Sequence, residues 1–280
     1  MKVGLVLEGG AMRGVYTAGV LDIFLDEKIK VDGIIGVSAG ALFGVNYASK
    51  QRGRTIRYNK KYIRDKRYIS IKSLIKTGNI VNKDFAYYKI PFELDKFDEK
   101  EFERAKVDYY AVITNVETGE GEYPKITNCE EQIEVLRASS SMPFVSKMVE
   151  IDGKKYLDGA LADSVPYEKM IELGYDKIIV VLTRDINYRK KKRAPLMANT
   201  IYRKYPKLIK KINNRYKMYN DSIEKLKKLE EEGKVVVIRP SKDLHVKRIE
   251  KDLDKLQAMY DLGISDAKEN IKMIKDYLKK

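Results

Sequence analysis

The stretch DGIIGVSAGALFGVNYAS, residues 32–49, places one serine between two glycines where an apolar run meets a helical pattern. The apolar run at residues 33–36 predicts a short buried strand, and the sequence after the motif has the spacing of a helix. A Gly-x-Ser-x-Gly motif between a strand and a helix is typical of a nucleophile elbow, because the small residues leave room for a sharp turn. The start of the helix also favours negative charge that develops beside it. The stretch therefore predicts a reactive Ser38 in an elbow formed with Gly36 and Gly40.

A glycine-rich loop precedes this stretch, in LEGGAMRGVYTAGVLD at residues 7–22. Such a loop serves either as a phosphate cradle or as an oxyanion hole. A dinucleotide site needs glycine at all three positions of G-x-G-x-x-G and an acidic residue at the end of the second strand. Here Ala11 stands at the central position, where its methyl group would crowd a pyrophosphate, and Asp32 begins the second strand. Since a Gly-Lys-Ser/Thr ending is also absent, the loop favours an oxyanion hole.

Strands and helices alternate along the first two thirds of the chain. The predicted strands cover residues 3–7, 33–36, 107–114 and 177–183, and the predicted helices cover residues 13–25, 39–49, 130–138 and 167–173. Continuous apolar strands alternating with helices predict an α/β fold with a mainly parallel sheet and helices on both faces. The length of 280 residues suits one large α/β domain, alone or with an appendage.

After residue 183 the sequence becomes more charged and richer in lysine. A charged loop is followed by lysine-rich sequence with helical spacing over residues 200–232. The run KVVVIRP predicts one more strand, which Pro240 ends. Residues 249–278 are predicted to be helical, with Gly263 as a break between two helices.

The net charge of +15 is concentrated in two blocks. Residues 187–280 contain 27 Lys and Arg against 13 Asp and Glu, and residues 50–76 contain 11 basic residues and one acidic residue. Such asymmetry indicates an anionic partner, such as a membrane surface, a nucleic acid or a polyanionic substrate. Solvated helix faces explain it equally well. Because the sequence contains no motif typical of nucleic-acid recognition, no specific nucleic-acid partner is expected.

The N-terminal residues and the number of cysteines indicate in which cellular compartment the protein is expected. The apolar run at residues 3–7 is too short for a signal peptide, and no apolar stretch approaches the length of about 18 residues that spans a membrane. Cys129 is the only cysteine, so no intramolecular disulfide forms. A cytoplasmic protein is therefore expected. With one histidine and one cysteine, the sequence offers no cluster of metal ligands, and no metal or cofactor is predicted.

A reactive serine needs a base, and the residues leave two candidates. His245 is the one histidine, and the order Ser, Asp, His would suit a triad. Its surroundings, SKDLHVKRIEK, carry no turn signature, which favours a solvated side chain. Asp158 stands in YLDGALADS, where small residues let another part of the chain approach closely. A carboxylate acts as a base where it contacts the hydroxyl in a cleft poor in water.

Three motifs in this order resemble the patatin-like phospholipase family. The segment EGGAMRG at residues 8–14 is similar to its oxyanion loop, GVSAG at residues 36–40 to its nucleophile motif, and DGA at residues 158–160 to its Asp-Gly-Gly/Ala motif. ASSSMPFV at residues 138–145 also resembles a family segment. The resemblance covers residues 1–183. It implies a Ser–Asp dyad without histidine, and a patatin-like three-layer α/β/α fold.

Carried over by position, the resemblance assigns a role to each motif residue. Ser38 is the nucleophile and Asp158 the base, and the loop is supported by Arg13 and Gly14. The backbone N–H groups of the oxyanion hole come from Gly9, Gly10 and Ala11, and the Asp-Gly-Ala motif adds Gly159 and Ala160. Ala11 departs from the family, which often has glycine there. If that position needs a positive φ, alanine is strained.

These observations combine into one set of expectations. Residues 1–186 form a patatin-like catalytic domain, and residues 187–280 form a basic, mostly helical extension packed on it, similar to that of a bacterial branch of the family. The chain is expected to cleave acyl esters of lipids, as a phospholipase A or a lysophospholipase, and to contact the inner face of an anionic membrane peripherally. The alternative is a non-catalytic module that binds anionic membrane or nucleic acid on a retained hydrolase fold. The sequence predicts no oligomeric state.

Overall fold

The central sheet organises the fold in the computed structural model, which describes residues 1–192 and 195–279. Nine strands form it, in the order β6-β7-β3-β2-β1-β8-β9, with the short β4 and β5 also paired to β3. They are β1 (Val3–Leu7), β2 (Gly33–Val37), β3 (Asp108–Asn115), β4 (Gly121–Glu122), β5 (Lys125–Ile126), β6 (Val149–Ile151), β7 (Lys154–Asp158), β8 (Lys177–Val181) and β9 (Val235–Ile238).

The five strands from β3 to β9 in this order are parallel, whereas β4, β5 and β7 pair with β3 in the antiparallel sense. Every residue of β1 and β2 is buried. Parallel strands covered on both faces read as such continuous apolar runs. The predicted mainly parallel sheet is therefore confirmed.

Ten α-helices surround the sheet in the described ranges. They are α1 (Val15–Asp26), α2 (Ala39–Ala48), α3 (Arg54–Tyr62), α4 (Ile71–Thr77), α5 (Glu99–Arg104), α6 (Ile133–Ser139), α7 (Tyr167–Glu172), α8 (Met197–Ile201), α9 (Pro206–Glu231) and α10 (Leu253–Lys279). A 3₁₀ turn spans Ala11–Gly14, another spans Gly159–Leu161, and Asp84–Leu94 is π-helical.

The two faces of the sheet bury two separate apolar layers. Leu5 and Leu7 of β1 belong to the layer under α1, α2 and α10, whereas Val6 between them belongs to the layer under α7 and α9. The alternation follows from the period of two along a strand. Helices on both faces give the predicted three-layer α/β/α architecture.

The C-terminal part of the chain joins the same sheet and the same helical layer. β9 pairs with β8 in parallel, from Ile178 opposite Val235 to Val181 opposite Ile238. α10 packs along α1, where the hydroxyl of Tyr16 donates to Asp266 at 3.0 Å. The sheet thus runs across the predicted boundary at residue 186, and the division into two domains stays a prediction.

The predicted break at Gly263 is wrong, because α10 runs through it without interruption. A Cβ at residue 263 would lie 2.1 Å from the carbonyl oxygen of Tyr16, and one at Gly19 would lie 2.2 Å from the carbonyl oxygen of Tyr260. The two glycines therefore let α1 and α10 approach closely. The close packing of α1 against α10 offsets the low helix propensity of glycine.

Two other stretches differ from the expectation. The helical sequence predicted over residues 200–232 is divided between α8 and α9, because Pro206 at the first position of α9 lacks the N–H that would continue α8. Residues 50–106, for which only the basic block at 50–76 was noted, form α3, α4, the π-helical segment and α5. In the described ranges, none of the helices combines the length and the hydropathy needed to cross a membrane.

Candidate active site

Ser38 occupies a sharp turn between β2 and α2. Its backbone has φ 54° and ψ −120°, a conformation that residues other than glycine rarely adopt. The turn is tight on both sides: a Cβ on Gly36 would lie 2.5 Å from the Cα of Ala41, and one on Gly40 would lie 2.3 Å from the carbonyl oxygen of Leu7. Only glycine fits at these two positions, so the elbow sequence fixes where the Ser38 side chain points.

Asp158 ends β7 and lies beside β3. The Ser38 hydroxyl donates to Asp158 Oδ2 at 2.9 Å, and the N–H of Ala160 donates to Oδ1 at 2.9 Å. Both side chains are buried. Gly159 is needed because a Cβ there would lie 2.1 Å from the carbonyl oxygen of Val112. The 3₁₀ turn after Asp158 thus orients one carboxylate oxygen and leaves the other for the serine.

The environment of Asp158 makes it a stronger base than an exposed aspartate. Burial raises the pKa of the Asp158 carboxyl above its ordinary value, and the charge of Arg215, the Ala160 N–H, the Ser38 hydroxyl and the charge of Arg248 lower it in part. A base is most effective when its pKa approaches the working pH.

The glycine-rich loop lies directly against the elbow. A Cβ on Gly9 would meet the carbonyl oxygen of Val37 at 2.9 Å and the Cβ of Ser38 at 3.0 Å. In the described part of the chain, the N–H groups of Gly9 and Gly10 donate to no protein acceptor. Ala11 has φ 50°, so it adopts the left-handed conformation that strains alanine. The arrangement leaves backbone donors available beside Ser38.

Arg13 lies buried behind this loop. Its backbone N–H donates to the Gly10 carbonyl at 3.2 Å, whereas its side-chain Nε has no hydrogen-bond partner among the described residues. Burial and the charge of Arg184 lower the pKa of Arg13 to about 10. Gly14 is close to α2, since a Cβ there would meet Ala39 Cβ at 2.9 Å. The loop is thus held by backbone contacts, and the supporting role of the Arg13 side chain stays a prediction.

Glu8 and Ser139 contribute contacts that the motifs did not predict. Glu8 Oε2 accepts from the N–H of Thr183 at 2.6 Å and from its hydroxyl at 3.0 Å, while Oε1 accepts from the Tyr219 hydroxyl at 3.0 Å. These bonds fasten the loop to the end of β8 and to α9. Ser139 Oγ accepts from the N–H of Ser38 at 2.9 Å. The first residue of EGGAMRG and the serine run in ASSSMPFV were the only signals of these roles.

Two spaces open onto Ser38. One is an apolar cavity of about 130 Å³, lined in part by Met12, Leu42, Phe43, Tyr58, Ile90 and Leu136. The other is a wider groove of about 750 Å³, which also contacts Asp158 and the glycine-rich loop. Residues after position 186 line much of this groove, among them Lys190, Ile212, Arg215, Tyr216 and Arg248.

His245 lies apart from this site. Its side chain is 85 % exposed, and Nδ1 is 3.3 Å from Asp243 Oδ2. It lines neither of the two spaces at Ser38. The structure therefore brings Asp158, and not His245, to the serine.

The two basic blocks differ in how they are arranged. Five basic residues of the block at 50–76 form ion pairs, namely Lys50 with Glu101, Arg52 with Asp26, Arg54 and Arg57 with Asp95, and Arg67 with Asp65. Part of that charge is thus balanced locally. In the later block, Lys190 points into the groove instead of lying on the outer surface, whereas Lys191 and Lys192 are exposed. Arg193 lies outside the described residues.

Comparison with known proteins gives matches to both parts of the chain. A family described as patatin-like phospholipase matches residues 5–171, and a domain of unknown function, DUF6363, matches residues 205–279. The uncharacterized protein YjjU of Escherichia coli is 26% identical over 188 residues, covering 65% of this chain and 52% of its own length. The lysophospholipase NTE1 of Saccharomyces cerevisiae is 28% identical over 185 residues, covering 64% of this chain and 10% of its own.

A crystal structure of VipD from Legionella pneumophila aligns with a TM-score of 0.38 at 11% identity, covering 93% of this chain and 67% of that one. The chain spans about half the length of the E. coli relative and a small part of the yeast one. The matched family segment contains the loop, the elbow and the Asp-Gly-Ala turn, and it makes up more than half of the chain. This chain belongs to the patatin-like phospholipase family.

Proposed function

We propose that the protein hydrolyses acyl esters of lipids, with Ser38 as nucleophile and Asp158 as base. The hydrogen bond of 2.9 Å from the Ser38 hydroxyl to Asp158 Oδ2 carries the proposal. Family membership and the similarity to the yeast lysophospholipase support the class of reaction. The finer choice between phospholipase A and lysophospholipase activity rests on the same grounds and belongs to the proposal.

In this mechanism, Asp158 accepts the hydroxyl proton as Ser38 Oγ attacks the ester carbonyl. The N–H groups of Gly9, Gly10 and Ala11 hold the oxyanion of the tetrahedral intermediate. When the intermediate collapses, Asp158 returns the proton to the leaving alkoxide, and an acyl-enzyme remains. Water then attacks the acyl group and gives its proton to Asp158, and Asp158 passes that proton to Ser38 Oγ as the fatty acid leaves. Loss of one oxyanion donor costs about 3–4 kcal/mol of barrier.

The apolar cavity supports a lipid as the substrate. Aliphatic and aromatic side chains line most of it, and Ser38 lies at its wall. Burial of an acyl chain there gains about 0.8 kcal/mol for each CH₂ group. The adjoining groove leaves room for the alcohol portion of the ester.

Two assays test the proposal: covalent labelling of the protein with a fluorophosphonate, and a separate measurement of ester hydrolysis. Ser38→Ala and Asp158→Asn each abolish hydrolysis of a short-chain ester and remain folded. The double variant loses no more than either single one, because the two residues act as a unit. Ser265→Ala, which changes an exposed serine on α10, keeps full labelling and activity. A parent protein that neither takes the label nor cleaves an ester supports the non-catalytic binding module instead.

Peripheral membrane contact stays a proposal, now centred on α4. Ile71 and Ile75 are 71% and 81% exposed, and Lys72 and Lys76 lie beside them. An apolar face flanked by lysines suits an anionic bilayer, and each lysine contributes about 1 kcal/mol there. Reversal of both lysines to glutamate weakens co-sedimentation with anionic vesicles. Equal binding of the parent to neutral and anionic vesicles argues against the contact.

A further inference from the structure

The groove at Ser38 has an excess of positive charge. Six cations line it, namely Arg13, Arg184, Lys190, Lys191, Arg215 and Arg248, against the two carboxylates of Glu8 and Asp158. Four of the six lie after residue 186. The carboxylate of Glu8 is already occupied, since it accepts hydrogen bonds from Thr183 and Tyr219. The positive charge of the groove is therefore not balanced from within.

The cations around the groove also lack close carboxylate partners. Within the described ranges, Arg13, Lys190, Arg215 and Arg248 form no ion pair, and the pair of Arg184 with Asp243 is long, at 3.9 Å. Arg13 Nε is buried and has no hydrogen-bond acceptor among the residues that the structure describes. Like charges collected in a partly desolvated site cost free energy unless an anion joins them. A binding site for an anion explains this arrangement.

Lys190 and Arg215 are held in place by contacts that leave their charged ends available. The N–H of Lys190 donates to Asn220 Oδ1 at 2.8 Å, its carbonyl accepts from Asn220 Nδ2 at 3.0 Å, and its Nζ lies 3.8 Å from the centre of the Tyr219 ring. Arg215 Nε donates to the Ala160 carbonyl at 2.8 Å. In the described part of the chain, the two terminal guanidinium nitrogens of Arg215 donate to no protein acceptor. Lys190 Nζ and these guanidinium nitrogens can donate the charge-assisted hydrogen bonds that a phosphate group accepts.

We infer, on the basis of the proposed function, that Lys190 and Arg215 bind the phosphate of the substrate's headgroup. The site then selects lipid esters whose leaving group has a net negative charge. A zwitterionic headgroup such as choline phosphate is disfavoured, because its quaternary ammonium would enter a groove that already contains six cations. The part of the chain after residue 186 thus supplies the headgroup selectivity of the site.

The test compares two lysolipids with the same acyl chain. One has a glycerol phosphodiester headgroup, and the other has a choline headgroup. The parent prefers the anionic lysolipid in kcat/KM by about tenfold or more, the scale of one charge-assisted contact. Lys190→Met lowers this ratio severalfold, whereas Lys190→Arg retains most of it. Lys192→Met, a matched change at an exposed neighbour, leaves the ratio unchanged. The same ratio in the parent and in Lys190→Met overturns the inference.

A binding measurement separates this inference from the proposed function. Titration calorimetry of the parent with sn-glycerol 3-phosphate gives binding that Lys190→Met weakens, whether or not the protein cleaves esters. Inorganic phosphate distinguishes a headgroup site from a separate phosphate site. Competition of phosphate with the anionic lysolipid supports the inference, whereas binding without competition overturns it. Failure of the fluorophosphonate to label Ser38 would contradict the proposed function and leave this titration as the test of the anion site.

Discussion

Arg215 donates from Nε to the carbonyl oxygen of Ala160 at 2.8 Å. The N–H of the same Ala160 donates to Asp158 Oδ1 at 2.9 Å. One residue of α9 therefore holds the turn that orients the candidate base. The charge of Arg215 also lowers the pKa of Asp158 against the raising effect of burial.

Arg215→Met moves the acid limb of the pH–rate profile to higher pH. Without the nearby positive charge, burial raises the pKa of Asp158 further, so the carboxylate form is lost at a higher pH. The measurement is kcat/KM for a neutral short-chain ester as a function of pH. Arg215→Lys keeps the charge and a profile close to that of the parent. A limb that stays in place in Arg215→Met would show that Arg215 acts on the turn alone.

Ala11→Gly increases the free energy of unfolding by about 1 kcal/mol or less. Ala11 has φ 50°, and release of this strain exceeds the entropy that glycine adds to the unfolded chain. Urea denaturation measures the change. Ala105→Gly is the matched control, because Ala105 has φ −61° and the same substitution there destabilises the protein by about 0.5–1 kcal/mol. Destabilisation at both positions would exclude strain at Ala11.

The parts of the fold that the sequence predicted are those with a strong local signal. The strands at residues 3–7 and 177–183 are continuous apolar runs, and the observed β1 and β8 match them to within two residues. Residues 54–62 lacked such a signal. Hydrogen bonds of Arg54 with Asn46 and of Asn59 with Tyr68, and the ion pair of Arg54 with Asp95, accompany the burial of these two polar side chains. The periodicity of apolar residues does not show such polar contacts.

The site shows the same division. The elbow and the Asp-Gly-Ala turn depend on glycines whose spacing is visible in the sequence, so Ser38 and Asp158 were named in advance. Arg215 and Lys190 were not, because they reach the groove only through the packing of α9 on the sheet. Sequence alone showed their charge and placed Lys190 in a charged loop. The contact with Tyr219 and the burial of the groove could be read only from the structure.

Gly263→Ala destabilises the protein by about 2 kcal/mol or more, the upper part of the range for overpacking. The added Cβ would lie 2.1 Å from the carbonyl oxygen of Tyr16, so α1 and α10 must separate. Urea denaturation with an unchanged m-value measures the loss. Ser265→Ala, at an exposed position of the same helix, changes stability by less than about 0.5 kcal/mol. A Gly263→Ala protein as stable as the parent would contradict the close approach of the two helices.

His245→Ala leaves hydrolysis of a soluble ester within about threefold of the parent. The side chain is 85 % exposed and contacts Asp243, so its removal changes nothing at Ser38. A triad histidine would instead account for about 10³-fold or more of the rate. Steady-state kinetics with the purified variant decide between the two, and a loss on that larger scale would replace Asp158 by His245 as the base.

The preference for an anionic lysolipid declines as the pH rises from 6 to 9. Burial and the charges of Arg215, Arg248 and Arg13 lower the pKa of Lys190 to about 7, and Glu8 opposes them. Lys190 is therefore charged below neutral pH and loses its charge above it. The glycerol phosphodiester headgroup stays singly negative across this range, so the change arises in the protein.

The measured quantity is the ratio of kcat/KM for the anionic and the choline lysolipid, from which the titration of Asp158 cancels. In Lys190→Arg the ratio stays constant with pH, because guanidinium keeps its proton throughout. In Lys190→Met it is low and also constant. A ratio that falls with pH in all three proteins would assign the titration to another group and remove Lys190 from headgroup recognition.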